Sequence, residues 1–399
     1  MEIVKRFISY AKMDTQSDPN SLTFPSTSKQ KELARLLLKE LEQLKISAFK
    51  DEYGYLYGKV PKTVPNKPSI GFIAHMDTSF DAPGFPVKPR IIKNYDGSTI
   101  KLNETLSMDK ETFPALKEVI NDDLIVTDGN TLLGADNKAG IAIIMDFLQV
   151  LKESKLEHGD IYIAFTPDEE IGQGTKYFNY DFFKADFAYT VDGGKVGTVE
   201  YENFNAASAK VTFTGKSIHP GDAKNRLVNA LQVAFKFNSM LPPFLDPANT
   251  ENKEGFNHLT SASGTVEKAE LNYIIRNHDY DLFLHQQRDF HKIKDYLNDY
   301  YGYQICEVEI NESYLNMYEI LKKDLTPIKL ATQAIKNIGL TPTSPPIRGG
   351  TDGARLTYQG LPCPNLGTGG FNFHSRFEFL SINQMKKAVL ILKEIVKIA

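Results

Sequence analysis

The sequence predicts an α/β protein with a central, mostly parallel sheet and a smaller α+β domain inserted into it. Apolar, strand-like runs alternate with helical patterns up to about residue 204 and again beyond residue 311. From 205 to 311 the pattern changes to half-exposed alternating strands and amphipathic helices. A chain of 399 residues also exceeds one typical core. The expected domains are therefore 1–204 with 312–399, and an insertion at 205–311.

The elements follow in order. "MEIVKRFISYAKMDTQSD" reads as an amphipathic helix and has no uninterrupted apolar core of signal-peptide length. "KQKELARLLLKELEQL", residues 29–44, has apolar residues at helical spacing. "PSIGFIA" reads as a buried strand. Residues 80–130, rich in Pro, Gly, Asn and Asp, read as a long surface excursion with little regular structure. After the loop "DGNTLLGADNK", "AGIAIIMDFLQVLKES" reads as a helix. "DIYIAFT" and "DFAYTV" are two more strands, ending at "PDEEIG" and "DGG". In the insertion, "SAKVTFTG", "NYIIRNHDYD" and "YQICEVEI" read as strands, and "NRLVNALQVAFKFNSM" and "LHQQRDFHKIKDYLNDYY" as helices. The α/β pattern resumes with "EILKKDLTPIKLATQAIKNIG".

Composition narrows the function. The 46 basic and 50 acidic residues leave a net charge of -4, against a nucleic-acid binder. The chain is 41% hydrophobic and 24% charged, as folded proteins are. Two cysteines, Cys306 and Cys363, exclude a disulfide framework and fit a reducing compartment. No run reaches the roughly 18 apolar residues of a membrane span. A soluble cytoplasmic protein, with no nucleic-acid or membrane partner, is expected.

Three expected strands end in metal-ligand residue types, and ligands of open α/β sheets gather at such ends. The first gives His75 and Asp77, the second Asp168, Glu169 and Glu170, the third Asp192. Asp136 stands just before a helix, and His374 in the glycine-rich "GTGGFNFHS". Imidazole nitrogen and carboxylate oxygen together suit Zn²⁺, and also Mn²⁺ or Co²⁺. Taken singly, each residue has an ordinary reading as a core histidine or a solvated turn. Burying them together without a cation would be costly. Spacing alone leaves both a two-metal site and ordinary turns open. Two ions roughly 3.5–4 Å apart need a bridging carboxylate. Asp77, two residues after His75, points to the same side and suits an acid that orients the imidazole. Adjacent glutamates permit one to bind metal while the other takes a proton.

The motifs "AHMDT", "LLGADNKAG", "FTPDEEIG", "VDGG", "HPG", "RGGTDGA" and "LPCPNLGTGGFNFH" resemble those of the M20 metallopeptidases, in their tripeptide aminopeptidase branch. They stand in family order from "DTQSD" at residue 14 to "FEF" ending at 379, nearly the whole chain. The resemblance implies a zinc-peptidase-like catalytic domain, an inserted lid, and two Zn²⁺ ions per subunit, with Mn²⁺ or Co²⁺ as alternatives. It implies His75, Asp136 and Asp192 on one ion, and Asp136, Glu170 and His374 on the other. Glu169 would be the general base and Asp77 would orient His75. In the lid, His219 of "SIHPG" resembles the histidine that polarises the scissile carbonyl. Arg276 of "YIIRNHD" would hold a peptide carboxylate, with Arg348 a weaker candidate. Asp352 would shape the glycine-rich loop. A metal-bridging hydroxide would release the N-terminal residue of short peptides, tripeptides above all. Related enzymes also form homodimers through the lid.

The chain departs from the branch at Asn137, Ile143, Asn277, Ser375 and Phe377. None of these is an implied ligand or base, but they bear on substrate preference. Two alternatives stand beside this reading. One is another M20-type hydrolase, an N-acyl amino-acid deacylase or a carboxypeptidase. The other is a metal-binding paralogue without turnover, which the intact Glu169 disfavours.

Overall fold

The structure is a computed structural model that describes residues 2–399; Met1 lies outside them. The chain divides into two compact units. One comprises the chain up to Tyr201, Glu319–Pro345 and Thr351–Ala399. The other comprises Glu202–Tyr318 and Pro346–Gly350.

The first unit is built on a seven-stranded sheet. Across it run Ser47–Lys50, Leu56–Val60, Ile161–Thr166, Ile70–His75, Phe187–Gly193, Asn365–Gly367 and Val199–Glu200. The four strands from Ile161–Thr166 to Asn365–Gly367 are mutually parallel. Antiparallel neighbours close the edges. Ile70–His75 and Ile161–Thr166 are buried at every position. That explains their continuous apolar runs, because a parallel sheet is covered on both faces. The helix Ala135–Glu153 is buried nearly all round. It meets strand Phe187–Gly193 at bare backbone: a Cβ on Gly140 would stand 1.9 Å from the Val191 carbonyl oxygen. This close approach brings the start of the helix to the end of the strand.

The nine-residue helix Ile3–Ala11 is too short to be stable alone. It is held by burying Ile3, Val4, Phe7 and Tyr10, each such side chain worth about 1.5–3 kcal/mol. Arg6 goes in with them. Its Nε lies 3.0 Å from Glu40 and its Nη1 3.0 Å from Asp146. The Tyr10 hydroxyl donates to the same Glu40 carboxylate at 3.0 Å.

The excursion over 80–130 is not the irregular surface segment that its composition suggests. It contributes Arg90–Ile92 and Leu124–Val126 to a second, antiparallel sheet with Phe379–Ser381 and Gly370–Phe371. Beneath lie Tyr95, Ile100, Leu102, Met108, Leu116 and Val119, all buried. These apolar residues stand singly between side-chain-capped turns. Asn103 accepts the amides of Thr105 and Leu106, and Asp109 those of Glu111 and Thr112. No window therefore shows a period, although the segment has a core.

In the second unit a four-stranded antiparallel sheet runs Phe256–Gly264, Lys268–Asn277, Asn205–Thr214 and Cys306–Tyr314. Its core joins Val211, Phe213 and Tyr273 of the strands to Phe237 and Phe290 of the helices Ala230–Met240 and Tyr280–Tyr301. Three expectations shift. The first helix begins at Ala230, not Asn225, because the Asn229 side chain accepts the Leu231 amide and caps it. "NYIIRNHDYD" ends as a strand at Asn277, since Asp279 caps the next helix through Leu282 N–H. Phe256–Gly264 was not apparent as a strand because it lies at the sheet edge and is mostly exposed. Among the described residues, no helix is long and apolar enough to cross a membrane.

Replacing Arg6 by Ala strands the partly buried carboxylates of Glu40 and Asp146. Arg6→Ala should lower the unfolding free energy by about 3–5 kcal/mol, read from denaturant melts. A loss under about 1 kcal/mol would show the carboxylates to be solvated.

Candidate metal centre

The parallel strands deliver their polar residues at their carboxyl ends. His75 closes its strand, and Asp192 is the penultimate residue of Phe187–Gly193. Glu169 and Glu170 follow the end of Ile161–Thr166, and Asp136 opens the helix Ala135–Glu153. His75 Nε2 lies 2.8 Å from Asp136 Oδ1 and 3.4 Å from Asp192 Oδ1. His374 Nε2 lies 3.0 Å from Glu170 Oε2 and 3.4 Å from Asp136 Oδ2. Each oxygen of Asp136 thus faces a different imidazole. The structure brings together two donor groups, His75–Asp136–Asp192 and Asp136–Glu170–His374, each with its ligand atoms within 4.8 Å of one another.

The donors suit divalent cations. Glu170 Oε1 and Asp192 Oδ1 are buried without a hydrogen-bond partner, a costly state for carboxylate oxygens unless a cation meets them. Burial pushes the Glu170 carboxyl up to about 8 and that of Asp192 to about 6. Burial, and then the nearby charge of Asp352, raises Glu169 well above its ordinary range. Burial alone would lower His75, but the carboxylates of Asp192, Asp136 and Asp77 outweigh it and raise the imidazole. Hydrogen bonds to Asp136 and Glu170 carry His374 up to about 11. Protons here do the work of positive charge. Carboxylate and imidazole donors in two groups sharing one carboxylate fit two Zn²⁺, Mn²⁺ or Co²⁺ ions.

A surrounding layer fixes these groups. Asp77 is fully buried. Its two oxygens accept the backbone N–H groups of Glu169, at 3.0 Å, and Glu170, at 3.1 Å. His75 Nδ1 lies 3.0 Å from the Asp77 carbonyl oxygen and 3.3 Å from its Oδ1. Asp77 therefore touches both the imidazole and the backbone of the two glutamates. Asp168 turns away from the donors, at φ +57°. Its carboxylate accepts the amide and hydroxyl of Ser26 and the Gln30 amide, each at 2.6 Å, and its own N–H donates to Gln30 Oε1. The Glu169 turn is thereby tied down from both sides. Asp352 is buried, pushed up to about 7 by burial, and accepts the Thr166 hydroxyl at 3.2 Å.

Sequence reasoning missed Asp81, whose Oδ2 lies 2.9 Å from His374 Nδ1. It sits in the segment taken for an irregular excursion, and no local pattern marks it. The departures from the family pattern in this unit supply no donor. Asn137 accepts the Gly140 amide through Oδ1 and leaves Nδ2 buried and unpartnered. Ile143 is buried in the helix. The Ser375 hydroxyl pins its own turn, and Phe377 packs on Phe113 at 4.7 Å.

The remaining candidates belong to the second unit. His219 is exposed, and its Nδ1 accepts the Gly221 N–H at 3.1 Å. Arg276 donates through Nη1 to the carbonyls of Ala207 and Ile275, and its guanidinium lies 5.5 Å from the Tyr314 ring centre. Asn277 binds Gln286. Arg348 lies over Phe204 and Phe256, and its terminal nitrogens donate to Thr250, Asn252 and Glu254.

The model of peptidase family M20/M25/M40 matches residues 126–398. Peptidase T of Halothermothrix orenii is 49% identical over 402 residues, covering 100% of this chain and 98% of that protein. Peptidase T of Bacillus subtilis is 46% identical, covering 99% of this chain and 98% of its own length. Among solved structures, an aminopeptidase PepT from Bacillus cereus and a tripeptidase from Staphylococcus aureus each superpose with a TM-score of 0.79. Each is 24% identical, over 99% of this chain and 97% of that one. A dinuclear metal-binding M20 peptidase from Bacillus subtilis shares the fold, with a TM-score of 0.63 at 13% identity over 99% of this chain and 97% of its own.

Cation binding requires the protons on His75, His374 and Glu170 to leave. All three groups are raised, so protons compete with a cation for them and metal binds better as pH rises. Zinc uptake should release protons near pH 7, and affinity should still be climbing at pH 8, since Glu170 lies at about 8 and His374 at about 11. Calorimetry in buffers of differing ionisation enthalpy reads this directly. Identical heats in all buffers would contradict it.

Proposed function

Since this chain belongs to the M20/M25/M40 family of peptidases, we propose that it removes the N-terminal residue from short peptides, tripeptides above all. The observation that carries this reading is the pair of donor groups sharing Asp136 with Glu169 beside them. The names of its relatives, peptidase T, aminopeptidase and tripeptidase, support it. His75, Asp136 and Asp192 would hold one divalent cation, and Asp136, Glu170 and His374 the other. When bound, such cations acidify a water and polarise a carbonyl.

The chain's own groups supply the rest. Glu169, raised by burial, takes the proton of the attacking water and later gives it to the leaving amine. Asp77 holds the Glu169 backbone in register with His75. His219 accepts at Nδ1, so its neutral ring carries the proton on Nε2. That tautomer is a hydrogen-bond donor suited to an oxyanion. Arg276 keeps Nε and Nη2 for a peptide carboxylate, since its bonds to the Ala207 and Ile275 carbonyls use Nη1. Arg348 is the poorer candidate, because both its terminal nitrogens already serve the 250–254 loop. The two buried free cysteines accord with a cytoplasmic location.

Release of the first residue from free and N-acetylated tripeptides tests the reaction. Free tripeptides should be cleaved and acetylated ones spared, and Glu169→Ala should lose about 10²–10⁴-fold in kcat. Preference for acetylated substrates would move the assignment to a deacylase. Turnover of neither, with both cations bound, would favour a binding paralogue. Arg276→Ala should raise KM about tenfold or more for tripeptides with a free carboxylate and leave their amides unaffected. An equal effect on acid and amide would remove Arg276 from substrate binding.

A further inference from the structure

Glu378 lies four residues beyond His374, outside both donor groups, and is buried. Its Oε2 accepts the N–H groups of Leu133 and Gly134, each at 2.7 Å, and its Oε1 accepts that of Asp136 at 3.0 Å. These amides precede or open the helix Ala135–Glu153, where backbone donors have no partner within a helix. Asp136 itself has non-helical dihedrals, φ -84° and ψ 105°. Its place is set by whatever holds its amide, and that is Glu378.

Glu378 is in turn fixed from two directions. The next residue, Phe379, begins a strand that pairs with Leu124–Val126, opposite Val126. The turn before it carries His374 at φ +60°. That turn is closed by the Asn372 side chain on the Phe377 carbonyl and by Ser375, which bonds both Asn372 and Phe377. One carboxylate therefore braces the loop of Asp136 against the turn of His374.

We infer that Glu378 is a positioning residue that sets the spacing of the two donor groups by fixing the loop of their shared carboxylate. This rests on the two-cation reading above. Because Asp136 belongs to both groups, disturbing its loop weakens both cation sites, whereas losing a ligand of one group weakens one. In Glu378→Gln an NH₂ replaces one acceptor oxygen and faces a backbone N–H, so the brace is broken at nearly constant volume.

The test titrates metal-free protein with Co²⁺, followed by visible absorption, and with Zn²⁺ against a chelator. Wild type is compared with Glu378→Gln, His374→Ala and Ile395→Val, the last a buried control in the C-terminal helix. Glu378→Gln should weaken both binding events by about 10–100-fold and alter the cobalt spectrum, with an unchanged circular dichroism spectrum. His374→Ala should weaken one event, and Ile395→Val should lose thermal stability with no change in metal affinity. Wild-type affinity at both sites in Glu378→Gln would overturn the inference. Should that variant fail to fold, amide exchange in metal-free wild type decides. Slow exchange at Leu133, Gly134 and Asp136 supports the brace, and fast exchange refutes it. Wild type that binds fewer than two ions would instead overturn the two-cation reading, and this inference with it.

Discussion

The first unit is organised around a crowd of buried carboxyl groups. Asp77, Asp136, Glu169, Glu170, Asp192 and Asp352 meet beyond the carboxyl ends of strands that are otherwise apolar. Carboxylates so placed repel one another and lose water, which is unfavourable unless every oxygen finds a partner. The structure answers with two imidazoles, with backbone N–H groups aimed at Asp77 and Glu378, and with side-chain donors on Asp168. Oxygens of Glu170 and Asp192 remain unanswered, and a cation would suit them.

The arrangement separates holding from reacting. Three of the residues proposed to hold a cation are themselves held by residues outside both donor groups: His374 by Asp81, His75 by Asp77, Asp136 by Glu378. The turn of Glu169 is gripped by Asp77 on one side and by Ser26 and Gln30, through Asp168, on the other. A carboxylate that must exchange a proton in a fixed geometry needs a rigid backbone under it.

How much of this was legible in the sequence depended on the range of the interaction. Strands such as Ile70–His75 were readable because burial on both faces leaves an unbroken apolar run. The five donors were readable because each stands in a short motif at a strand end or glycine-rich turn. The small sheet built by 90–126 was not, since Arg90–Ile92 pairs some thirty residues away, Leu124–Val126 also pairs with residues beyond 370, and its apolar residues are scattered among capped turns. Asp81 and Glu378 were hidden for the same reason. Asp81 acts 293 residues from its own position, and Glu378 acts 242 to 245 residues from its own.

That reach has a consequence for synthesis. A ribosome releases His75, Asp136 and Asp192 long before His374 and Glu378 emerge. Until residues 374 and 378 are made, the chain carries one group of proposed donors, a second without its histidine, and a loop for Asp136 without Glu378. The growing chain therefore holds these groups in an unassembled state until both segments have emerged. The position of Glu378 thus ties the hold on the Asp136 amide to a segment made 242 residues later.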